Sequence, residues 1–177
     1  MNNALQLLQR LNTGVAVLAG GLLLLSVLVT IVDIVSRQLG HSLGGTDELS
    51  GYAMAIATSW GMSYTLTSLA HVRIDIVRAR CEAPLRSLFD AIALLSLSTT
   101  ALVIAYRVWP VVEKSLKNNS TANTTLETPL WIPQSMWMAG WVWFAISGVL
   151  LTLALFESAI RKDHESINRA VGLGDDA

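Results

Sequence analysis

Charge is scarce in this sequence. Only 14% of its 177 residues are charged, and the 12 Lys and Arg nearly balance the 13 Asp and Glu. A soluble domain carries about a quarter charged residues, and the near-neutral balance supplies no basic surface for nucleic acid. The single cysteine, Cys81, excludes an intramolecular disulfide and paired-thiol redox chemistry. Between Arg80 and Glu82 it reads as an ordinary small residue. The three histidines, His41, His71 and His164, lie in connections or the tail, so none sits at a depth suited to axial haem ligation. Metal-ligand spacings and nucleophile-elbow motifs are absent as well.

What remains is apolar. Hydrophobic residues make up 53% of the chain, and the mean hydropathy is +0.51. Uncharged runs extend from Leu11 to Val32, Leu49 to Ala70, Ala91 to Tyr106 and Thr128 to Phe156. A bilayer core about 30 Å thick needs roughly 20 helical residues at about 1.5 Å each. Three runs reach that length; the third does so once extended past Asp90 and Arg107, which can snorkel from its ends. The expected fold is therefore all-α, one integral membrane bundle of four transmembrane helices with short connections. The spans fall at approximately 13–36, 48–70, 88–110 and 130–157, followed by a polar tail, 158–177. The first run is too long for the apolar core of a signal peptide and is read as a retained helix.

Positive residues orient the spans. With the N-terminus inside, Arg10, Arg73, Arg78, Arg80, Arg86, Arg161, Lys162 and Arg169 are cytoplasmic. Arg37, Arg107, Lys114 and Lys117 then fall outside. That bias predicts a cytoplasmic N-terminus and C-terminus.

The boundaries carry their own signals. Asp33 and Arg37 lie four apart on one helical face at the end of span one. Gly40, Gly44 and Gly45 break the helix, and Thr46, Asp47 and Glu48 open span two, where acidic groups meet a helix N-terminus favourably. After His71-Val-Arg-Ile-Asp75, the apolar residues Val77, Cys81, Leu85 and Leu88 suggest a surface helix or an extension of span three. Trp109 and Pro110 mark the outer end of span three.

Inside the spans, small residues recur on span two: Gly51, Ala55, Ser59 and Ser63, and again Ala53, Ala57, Gly61 and Thr65. Such seams bring helices close together in lipid, either within this bundle or against a partner. Trp141 and Trp143 lie deep in span four, where packing accounts for them better than sugar stacking. Intramembrane charge is sparse. Asp33 and Arg107 both fall toward the outer leaflet, with either an Asp33–Arg107 or an Asp33–Arg37 pair expected. Paired Gly/Pro interruptions of ion-coordinating transporter helices are absent. The pattern is that of a scaffold, not a pore or an enzyme.

The order of these pieces resembles the small permease subunit (DctQ type) of tripartite ATP-independent periplasmic (TRAP) transporters. The resemblance rests on Asp33…Ser36-Arg37, Glu48, Gly61…Tyr64, His71-Val72-Arg73-Ile74-Asp75 and Pro129-Leu130-Trp131-Ile132-Pro133, in that order. It implies a multi-pass protein of a bacterial or archaeal cell inner membrane. A large TRAP permease subunit, expected as a separate chain, would hold the substrate and sodium sites. A periplasmic solute-binding protein would deliver an organic acid or related solute. The resemblance further implies that Glu48 lies near the docking face and that His71, Arg73 and Asp75 order the cytoplasmic connection. No cofactor is expected in this chain. The readings competing with this one are a membrane anchor subunit of a respiratory redox complex and a self-contained channel.

Overall fold

The computed structural model describes residues 2–41, 43–68, 83–124 and 126–160. They form four helices: α1 (Asn2–Gln38), α2 (Thr46–Thr67), α3 (Ala83–Lys117) and α4 (Trp131–Ile160). The fold is an all-α membrane bundle. Three helices, α1, α3 and α4, are long and apolar enough to cross a membrane by composition. The uncharged length of α2 comes from Gly, Ala, Ser and Thr and carries little hydropathy, so it does not join them. Its 22 residues would still extend about 33 Å.

The helices pack in the spatial order α1–α2–α4–α3, an open row in which α1 and α3 occupy opposite edges. The apolar core lies where α4 meets its neighbours: Phe144, Ala145, Leu151 and Leu155 pack with Leu8, Leu66, Leu94 and Ala101. Two glycines of α4 set the spacing. An added Cβ at Gly140 would fall 2.8 Å from Ser59 Cβ and from Trp60 Cδ1. At Gly148 it would fall 3.3 Å from Ser98 Cα. Small residues on both sides thus let backbones approach where lipid offers no hydrophobic drive for association.

The third helix does not stop at Trp109-Pro110. Helix α3 runs through Pro110 to Lys117. Proline removes one backbone donor and crowds the preceding turn, but Tyr106 and Pro110 are both exposed, away from the packed face. Beyond it, Val112 and Ser115 still bury themselves and hold the last turns in register.

Residues 39–45 and 118–130 meet at one end of the molecule, the loop end. Gly40, Gly44 and Gly45 all have positive φ, and Leu126 packs on Gly45 where a side chain would otherwise stand. The second loop closes on itself through an antiparallel bridge between Thr121 and Pro129, with Leu130 N–H donating to Ser120 O at 2.9 Å.

Candidate assembly site

At the loop end Asp33 is 1% exposed and serves as a hydrogen-bond hub. Its Oδ2 accepts from Arg37 Nε at 2.8 Å and from Thr46 Oγ1 at 2.8 Å, while Oδ1 accepts from Leu43 N–H at 2.8 Å. The Arg37 guanidinium also approaches Oδ2 to 2.6 Å. One carboxylate therefore ties the end of α1 to the following turn and to the start of α2. Of the two expected pairs, Asp33–Arg37 forms. Asp33–Arg107 does not, because α1 and α3 stand on opposite edges of the row.

Glu48 joins a second pair of segments. Tyr52 Oη donates to Glu48 Oε1 at 2.6 Å, and Thr124 Oγ1 donates to Glu48 Oε2. The carboxylate thus pins the 118–130 loop onto the first turns of α2, across 76 residues of chain.

The opposite half of the bundle is held by Asn12, which is fully buried. Its Nδ2 donates to Ser63 O at 3.1 Å and to Thr67 Oγ1 at 3.2 Å, and its Oδ1 accepts from Trp143 Nε1 at 2.7 Å. A single amide therefore joins α1, α2 and α4, using donor and acceptor together. Farther along, Ser98 and Thr152 hydroxyls share a hydrogen bond of 3.1 Å between α3 and α4. Trp141 lies edge-on to Phe144, their ring centroids 6.1 Å apart.

The remaining expected positions separate. Of the two α2 seams, Ser59 is buried against Gly140 of α4, and Ser63, Ala53 and Ala57 are buried as well. Gly61 differs: an added Cβ there would meet nothing within 4 Å. Asp90, expected to snorkel, is instead 2% exposed inside the bundle. Arg107 is exposed and takes part in no ion pair or hydrogen bond among the described residues. His71, Arg73 and Asp75 lie outside the described residues.

Asn12 went unnoticed in the sequence, although a lone amide at the edge of an apolar run is a signal for an interhelical hydrogen bond. The hydroxyls of Ser98 and Thr152 had no such signal, since Ser and Thr commonly bond their own helix. Among the described residues no three His, Cys, Asp or Glu side chains gather where a metal ion could be held. Asn12, Asp33, Glu48, Ser98 and Thr152 use their polar groups to join separate segments.

Comparison with protein families matches residues 26–163 to the tripartite ATP-independent periplasmic transporters, DctQ component. Comparison with curated proteins gave no match, and neither did comparison with solved structures.

Proposed function

We propose, because this chain belongs to the DctQ family of TRAP transporter components, that it supports a large permease subunit in sodium-coupled uptake of an organic acid or related solute. The solute arrives on a periplasmic binding protein, and the large subunit holds the solute and sodium sites. The carrying observation is the family match, which runs from the middle of α1 past the end of α4.

The way the chain uses its polar residues supports a stationary role. Asp33 and Glu48 clamp the loop end, and Asn12 joins three helices. Groups that are already satisfied inside a bundle stiffen it and leave little to coordinate a moving ion. In the bacterial or archaeal inner membrane, the loop end faces the periplasm and both termini face the cytoplasm, following the eight-to-four bias of positive residues. Glu48 then holds the 118–130 loop at the surface nearest the binding protein. His71, Arg73 and Asp75 order the cytoplasmic connection.

The test is reconstitution. Proteoliposomes containing the large subunit and this chain, supplied with loaded binding protein and an inward sodium gradient, take up solute. Omitting this chain abolishes uptake, and this chain alone neither takes up solute nor conducts ions. Full uptake without it, or conductance by it alone, overturns the proposal.

A further inference from the structure

The two edges of the row differ in chemistry. Between Val17 and Val32 the exposed positions of α1 are Leu, Val and Ile except for two glycines, as lipid requires. On α3, Ser96, Thr99, Thr100 and Arg107 are all exposed. At about 100° per residue, Ser96, Thr100, Val103, Arg107 and Lys114 fall within about 60° of one another. They point away from Leu94, Ala101, Val108 and Val112, the buried positions of the same helix.

Arg107 lies well inside the bundle's length. Helices α3 and α4 run antiparallel, linked by Ser120–Leu130 at the loop end and by Ser98–Thr152 toward the other. Arg107 falls between these links, about 10 Å along the helix from Lys114, the next charge on that face. It lies within Leu88–Lys117, the stretch of α3 long and apolar enough to cross a membrane. Helical side chains lean toward the helix N-terminus, which for α3 is the end away from the loop. Left in hydrocarbon, an unpaired charge is costly, and such residues face protein or an aqueous cavity.

We propose that this edge of α3 is the seam by which the chain joins the large permease subunit, with a carboxylate on a helix of that subunit paired to Arg107. The proposal rests on the functional reading above, which supplies the partner but not the face. The hydroxyls of Ser96 and Thr100 line the same seam, where short polar side chains permit close helix contact.

The experiment places the photo-crosslinker p-benzoylphenylalanine at Val103, or at Leu24 on the aliphatic edge, in the full chain within its native membrane. Irradiation at Val103 is expected to give an adduct with the large subunit, and at Leu24 none. In parallel, Arg107→Leu lowers recovery of the large subunit by about tenfold or more, the cost of leaving a buried carboxylate unpaired; Arg107→Lys loses less. Because Arg107 takes part in no ion pair or hydrogen bond among the described residues, the Arg107→Leu protein alone should unfold at the unmodified temperature. An adduct at Val103 with a second copy of this chain or with phospholipid only, or undiminished recovery with Arg107→Leu, overturns the proposal. Capture of the large subunit at Leu24 but not Val103 overturns the face and leaves the function standing. Failure of the unmodified chain to recover any large subunit overturns both.

Discussion

Asn12 on α1 receives the indole N–H of Trp143 on α4 at 2.7 Å, although these two helices share little other packing. The hydrogen bond matters because Asn12 also donates to α2, so the amide fixes three helices at one point. Asn12→Ala leaves the indole without its acceptor and is expected to destabilise the detergent-solubilised chain by about 1–2 kcal/mol. Thermal unfolding followed by tryptophan fluorescence measures the loss. A double-mutant cycle with Trp143→Phe should give coupling of about 0.6–1.7 kcal/mol; zero coupling would show that the bond contributes nothing.

Asp33 organises the loop end through Arg37, Leu43 and Thr46. Asp33→Ala frees the Leu43 amide, and its hydrogen exchange is expected to accelerate by about tenfold or more through local opening. Exchange at buried positions of α4 should stay unchanged. If assembly is untouched while transport alone is lost, Asp33 acts in transport and not as a structural hub.

The glycines provide opposite expectations. Gly140→Ala drives a methyl into Ser59 and Trp60 and should cost about 1–3 kcal/mol through overpacking. Gly61→Ala meets open space and should be neutral or add up to about 1 kcal/mol to the isolated chain, by helix propensity. Paired unfolding curves of the two variants check both signs.

Glu48 holds the 118–130 loop through Thr124. Glu48→Ala should expose that loop to added protease, with cleavage between Ser120 and Pro129 becoming several-fold faster, while the helices resist. Mass spectrometry of the fragments reads the site; an unchanged rate would mean the loop is held by Leu126 on Gly45 instead.

Local features were legible in the sequence, and relations between helices were not. The turn at Gly40, Gly44 and Gly45, the Asp33–Arg37 pair and the acidic opening of α2 follow from neighbours in the chain. The spatial order α1–α2–α4–α3 does not. In water the apolar stripe of a helix marks its buried face, but in lipid the outward face is apolar too. The aliphatic surface of α1 therefore looked no different from a core. Glu48 meeting Thr124 and Asn12 meeting Trp143 depend on which helix faces touch, and chain spacing carries no signal for that. Pro110 looked like the end of the third helix, which continues to Lys117.

On the proposed function, this chain works as one part of a larger transporter. Affinity purification of the unmodified chain from its native membrane, with identification of what remains bound, tests that directly. A large polytopic permease subunit is expected, with a periplasmic binding protein joining when solute is present. Recovery of the chain alone, or with a haem-bearing dehydrogenase, would contradict it.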